Sequence, residues 1–295
     1  MKILIIGARG NLGVQLVKIF SSDHEIFDWD RSEIDITDRE MVFEKVKELN
    51  PDVIINSAAY NAVDLCEDDE KHFELAKKLN GDAVGYLADA SIAINAILIH
   101  YSSDYVFGGN KKEGYRENDK PNPISKYGET KLMGEQELIK REDNNLKFYL
   151  IRTSKLFGPK GESEVAPPPP RLRRTRKPSF FDIMLKMAED RDEIDVVKEE
   201  MSCFTYTIDL AKATKKLVEN NYKYGIYHVV NSSPCAWYDA AKELFSIANI
   251  NIKVNPVSGD KFPRPAKRPK YSILLSTKFE HLRDYKEALK EYLNK

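Results

Sequence analysis

The chain opens Met1-Lys-Ile-Leu-Ile-Ile-Gly7-Ala-Arg-Gly10-Asn-Leu-Gly13. A short apolar run passes straight into glycines spaced three apart, and helical spacing at Leu12, Leu16 and Ile19 follows at once. A strand, a tight turn and a helix in this order constrain the fold more than any other feature. Small residues at such a turn let backbone amides and a helix N-terminus meet a pyrophosphate. Gly7, Gly10 and Gly13 are therefore candidate cofactor-binding positions. The spacing is GxxGxxG rather than GxGxxG, and a plain tight connection is the competing reading.

The pattern then repeats. Short apolar runs predict strands over 3–6, 24–29, 53–56, 96–102 and 148–153, joined by helices over 12–20, 39–49, 71–91 and 127–140, with Thr37 as N-cap of the second. Strands alternating with amphipathic helices form parallel sheets through crossover connections. Beyond Gly158 the alternation stops. Residues 162–178 hold four consecutive prolines and then Arg171, Arg173, Arg174, Arg176 and Lys177, a composition expected to form a flexible loop. Helices are predicted over 180–188, 207–219 and 285–293, and a late strand over 226–230 is expected to return to the main sheet. The fold class is thus α/β, a Rossmann-type doubly wound parallel sheet with a smaller mixed C-terminal substrate domain. Its division is expected at 1–157, completed by 205–231, for the dinucleotide domain, and at 158–204 with 232–295 for the substrate domain.

With 46 basic and 47 acidic residues, the formal charge is -1. No global field draws such a chain to nucleic acid or to an anionic membrane, so a small-molecule partner is expected. No apolar run reaches membrane-spanning length, and the start goes directly into a strand, which points to the cytoplasm. Cys66, Cys203 and Cys235 are scattered, and the five histidines show no ligand spacing, so inert thiols and no metal are expected.

Two further groups carry chemistry. Asp30 and Arg31 follow the second strand, where a carboxylate can accept from ribose hydroxyls and an arginine can meet a 2′-phosphate. NADPH and NADH both stay open on this pair. Tyr127-Gly-Glu-Thr-Lys131 puts a phenol and an ammonium on one helix face, where the cation would draw the phenol pKa toward the working range. Such a pair is ordinarily a surface contact. Here the polar run Tyr101-Ser-Ser103-Asp104 lies upstream, directly after a strand, at the sheet edge where ligands bind.

The ordered set GxxGxxG, Asn56-Ser-Ala58-Ala59, HYSSDYVF, YGETK and Ile151-Arg-Thr-Ser154 resembles the extended short-chain dehydrogenases. Ala62-Val-Asp64, Tyr115-Arg-Glu117, Gly225-Ile-Tyr-His228 and Pro263-Arg-Pro-Ala-Lys-Arg268-Pro269 narrow the resemblance to the dTDP-4-dehydrorhamnose reductase family. It implies cofactor contacts at Gly10, Asn11, Leu12, Asp30, Asp35, Ile36, Ala58, Ala59, Tyr60, Tyr101, Tyr127 and Lys131, and substrate contacts at Ser103, Asp104, Lys155 and Arg268. It further implies hydride transfer from NADPH or NADH to the 4-keto carbon of a nucleotide sugar, with Tyr127 giving the proton, Ser103 holding the carbonyl oxygen and Lys131 on the ribose. A homodimer is implied as well.

Lys155 stands where these reductases carry a tryptophan beside the sugar, so an apolar stacking surface is expected to be missing. Glu200, Ser202 and Phe204 depart from the usual glutamine, glycine and proline. Two other readings stay open: a regulatory subunit resembling the β subunit of methionine adenosyltransferase, and a reductase or epimerase of a different nucleotide sugar.

Overall fold

A computed structural model describes residues 1–159 and 178–294. The proline- and arginine-rich stretch 162–178, expected to be a flexible loop, lies outside them apart from Pro178. Among the described residues the centre is a six-stranded parallel sheet. Its order is Gly225–His228, β5 (Lys147–Thr153), β4 (Ile97–Ser103), β3 (Val53–Asn56), β1 (Lys2–Ile6) and β2 (Glu25–Trp29). The late strand does return to the main sheet, pairing Tyr227 with Ile151.

Both faces are covered, which explains why the strands read as unbroken apolar runs. Leu4, Ile6 and Ile54 pack toward Val42 and Val46 of α2 (Arg39–Leu49). Ile3, Ile5, Val53 and Ile55 pack toward Leu12 and Leu16 of α1 (Asn11–Phe20). On that same face lie Leu210 and Leu217, from a helix of the C-terminal half over Thr207–Glu219.

Two local expectations need correction. Thr37 does not cap α2; the Asp38 carboxylate accepts from the Met41 amide at 3.0 Å, because Thr37 has turned its hydroxyl onto Asp35 at 2.7 Å. The single helix expected over 71–91 is divided. After a short helix α3 (Val63–Asp68), α4 (Glu70–Lys77) widens into a π turn at Lys78–Asp82 before α5 (Ala83–Ala93). The widened turn presents Asn80 inward, where it accepts from the Tyr60 amide and donates to the Tyr60 carbonyl (2.9 Å each) and to Thr130 Oγ1 at 3.0 Å. Helix α6 (Lys126–Ile139) starts at Ser125, whose Oγ accepts from the Gly128 amide.

A third core joins the remaining elements. Phe157, Phe181, Phe204, Tyr206, Leu244 and Leu289 pack between α7 (Phe180–Ala188), α9 (Trp237–Ile247) and α10 (Tyr285–Leu293), α8 being the Thr207–Glu219 helix. Strands Glu193–Val197 and Lys253–Val257 pair in parallel beside them. No helix of the described residues is long and apolar enough to cross a membrane.

Candidate active site

The carboxyl ends of the parallel strands gather the residues that sequence reasoning singled out. At the end of β1, Gly7 turns with φ +76°, and a Cβ there would lie 2.7 Å from the Ala58 amide nitrogen. Glycine meets both demands. A Cβ on Gly13 would sit 2.7 Å from the Ala8 Cα, so α1 reaches the turn only with a hydrogen at that position. Gly10, the N-cap of α1, makes no side-chain cap, and the first turn holds no acidic residue. A turn of this shape, ending on a helix N-terminus without a carboxylate, fits a dinucleotide pyrophosphate.

Asp30, beyond β2, accepts from the Arg31 amide at 2.8 Å and the Arg9 amide at 3.3 Å, which fixes its carboxylate against the glycine turn. The Arg9 guanidinium reaches Ser32 Oγ at 3.3 Å and Glu33 Oε1 at 3.2 Å. Arg9 thus lies beside Asp30 at the glycine turn, and as one of the unspecified residues between the glycines it carries no signal in the motif. The Asp35 carboxyl is held below its usual range by the Thr37 hydroxyl. Ile36 is buried in the core with Ile34.

Beyond β3, the Ala58 amide donates to Asn56 Oδ1 at 3.1 Å, and Ala59 follows exposed. Tyr60 is buried, with its hydroxyl on His72 Nδ1. The Tyr101 ring is buried in the core that also holds Ala8 and Leu12, its hydroxyl shares a 2.7 Å hydrogen bond with Thr214, and its carbonyl faces α6. Lys131 Nζ donates to that carbonyl at 2.7 Å.

Tyr127 and Lys131 are both buried on α6, as the spacing required. The electrostatics differ from the expectation. Burial pushes the Tyr127 phenol well above its ordinary value, and a Ser103 hydrogen bond draws it only partly back. Lys131 does not offset that burial, because its ammonium is turned to the Tyr101 carbonyl. Burial lowers its own pKa to about 8, opposed by Glu135 one turn on. The phenol therefore stays protonated at neutral pH.

Ser103 ends β4 and donates to Asp104 Oδ1 at 3.0 Å; Ser272 donates to Asp104 Oδ2 at 2.6 Å. Burial raises the Asp104 carboxyl pKa, with Ser272 opposing it. Tyr105 meets Tyr127 edge-on with centroids 5.6 Å apart, and the Arg268 guanidinium lies 6.0 Å from the Tyr105 ring. Arg268 is itself held by Asp64 at 2.7 Å and the Ala266 carbonyl at 2.9 Å. That link closes the arginine-proline segment over α3. No local pattern announces it, since the partners are 204 residues apart.

Lys155, whose position is expected to lack an apolar stacking surface, itself meets an aromatic ring. Lys155 Nζ lies 3.7 Å from the centroid of Trp237. Among the described residues, no group of three or more His, Cys, Asp or Glu side chains is placed to hold a metal ion.

A family profile described as the RmlD substrate binding domain matches residues 1–295. The chain belongs to this family. Among curated RmlD relatives, the spore coat polysaccharide biosynthesis protein SpsK of Bacillus subtilis is 34% identical over 99% of this chain and 96% of its own length. Two solved structures superpose with a TM-score of 0.88 over 100% of this chain and 99% of theirs. One is a dTDP-4-dehydrorhamnose reductase from Clostridium acetobutylicum, 37% identical. The other is the Bacillus anthracis dTDP-4-dehydrorhamnose reductase in complex with NADP, 34% identical.

Proposed function

We propose that this chain is an NADPH-dependent reductase of the 4-keto group of a dTDP-4-keto-6-deoxyhexose, the dTDP-4-dehydrorhamnose reductase reaction. One observation carries the reading. A protonated phenol on α6, a hydroxyl at the end of β4 and a buried ammonium share the sheet edge with a glycine turn fitted to a dinucleotide. The reductase names of the relatives and the NADP complex of one of them support it. They favour it over the regulatory-subunit and epimerase readings.

In this reading the bound nicotinamide supplies the hydride. Ser103 donates to the carbonyl oxygen, stabilising the negative charge that grows there, and Tyr127 delivers the proton. Lys131 holds the nicotinamide ribose. Gly7, Gly10, Asn11, Leu12 and Gly13 cradle the pyrophosphate; Asp30 meets the adenosine ribose, and Arg9 and Arg31 lie within reach of a 2′-phosphate. Asp35, Ile36, Ala58, Ala59, Tyr60 and Tyr101 border the cofactor, while Asp104, Lys155 and Arg268 border the sugar nucleotide.

The same reading divides the chain into a dinucleotide domain, 1–157 with 205–231, and a substrate domain, 158–204 with 232–295. It also makes the protein a cytoplasmic homodimer, which light scattering on the purified protein checks. The decisive assay follows NADPH absorbance with dTDP-4-keto-6-deoxy-L-mannose as substrate. Turnover that disappears in Lys131→Ala supports the reading, and no turnover with this sugar refutes it.

A further inference from the structure

Strand pairing sets Ser103 of β4 opposite Thr153 of β5, and Lys155 follows two residues later at the same sheet edge. Its backbone is left-handed at φ 41°, a conformation uncommon for a side chain other than glycine, asparagine or aspartate. The ammonium lies between aromatic faces, 3.7 Å from the Trp237 centroid and 5.5 Å from that of Phe204. Trp237 is fixed in turn. Its indole N–H donates to Glu200 at 3.0 Å, and its ring stands 4.6 Å from Phe180 and 5.4 Å from Phe204.

Two carboxylates influence this ammonium through space, Asp104 and Glu200. Both are committed. Asp104 accepts from Ser103 and Ser272, and Glu200 accepts from Trp237 and is ion-paired with Arg264. Among the described residues, Lys155 Nζ has no hydrogen bond or ion pair, only the two ring faces. A partly buried ammonium has three N–H donors to satisfy, and a ring face answers the charge without accepting them as an oxygen does.

We infer that Lys155 is a specificity-determining residue, donating to an oxygen acceptor of the nucleotide sugar with Trp237 as the aromatic wall of the same subsite. The identity of the ligand rests on the reductase reading. Relative to a tryptophan at 155, the aromatic surface has moved to Trp237 and a cationic donor stands in front of it. The acceptor is either an oxygen of the hexose or an oxygen of the glycosyl phosphate.

The test is calorimetric titration of the NADP-loaded protein with dTDP-L-rhamnose and, separately, with dTDP. Lys155→Met keeps the methylene stem on Trp237 and removes the donors; Lys155→Leu, which also lacks them, serves if the first variant is poorly folded. The expected result is about a tenfold weaker affinity for dTDP-L-rhamnose. A loss confined to the sugar nucleotide identifies a hexose oxygen, and an equal loss for dTDP identifies the phosphate. Wild-type binding that the variants leave unchanged overturns the inference alone. Wild-type protein that binds neither ligand overturns the reductase reading together with it.

Discussion

Replacing Glu135 with leucine should destabilise the protein more than almost any other single change near the site. Glu135 is 0% exposed and Arg152 1%. The guanidinium meets both carboxylate oxygens, at 2.9 and 2.7 Å, and Ser102 donates to the same carboxylate at 2.6 Å. Without Glu135, Arg152 keeps the Glu117 carbonyl at 3.2 Å, the His228 ring nitrogen at 3.4 Å and the Phe107 face, none of them an anion. A buried charge stripped of its partner costs about 3–5 kcal/mol. Unfolding entropy of about 2.1 cal/mol/K per residue gives about 0.6 kcal/mol/K for 295 residues, so the melting midpoint should fall by about 5–8 °C. Pairing Glu135→Leu with Arg152→Met removes both charges and should recover at least half of that loss. Scanning calorimetry of the cofactor-free protein at fixed pH and concentration reads both variants. A single variant within about 1 °C of wild type, or a double variant no better than the single, would refute the reasoning.

Tyr127→Phe should lower kcat by about a hundredfold or more while NADPH affinity, read by fluorescence titration, stays within a few-fold; unchanged turnover removes Tyr127 from the chemistry. A lysine is cationic below its pKa, so the Lys131 charge is present below about 8 and lost above it. Accordingly kcat/KM should decline as pH rises from about 7 to about 9, and a flat profile across that window counts against Lys131. Gly13→Ala should weaken NADPH binding by about tenfold or more with circular dichroism retained, because its Cβ would press on Ala8 at 2.7 Å.

What could be read from the residues was what is local. The glycine turn, the Tyr127/Lys131 face and the helices at Phe180–Ala188, Thr207–Glu219 and Tyr285–Leu293 each follow from spacing within a few turns of chain. Thr37 and Asp38 are adjacent residues that can each cap a helix, and the capture of Thr37 by Asp35 leaves the cap to Asp38. The π turn at Lys78–Asp82 has no periodic signature, because Asn80 opens it for partners at Tyr60 and Thr130. Charge logic misjudged Tyr127, since i,i+4 spacing brings Lys131 onto its face but says nothing of the Tyr101 carbonyl that claims the ammonium. The Asp64–Arg268 link and the Trp237 wall behind Lys155 depend on chain crossings that no window on the sequence contains.

The strand at Gly225–His228 also bears on how the chain is made. It is the outermost neighbour of β5, so during synthesis β5 presents an open edge of unpaired amides and carbonyls until residue 228 has emerged. Tyr149 and Tyr227, whose rings come within 5.9 Å, and the Thr207–Glu219 helix packed on the α1 face are likewise joined only then. A nascent or truncated chain ending near residue 205 therefore carries every catalytic candidate from Ser103 to Lys131 on an incomplete sheet. Such a fragment should be soluble only with a chaperone or with the missing piece supplied in trans.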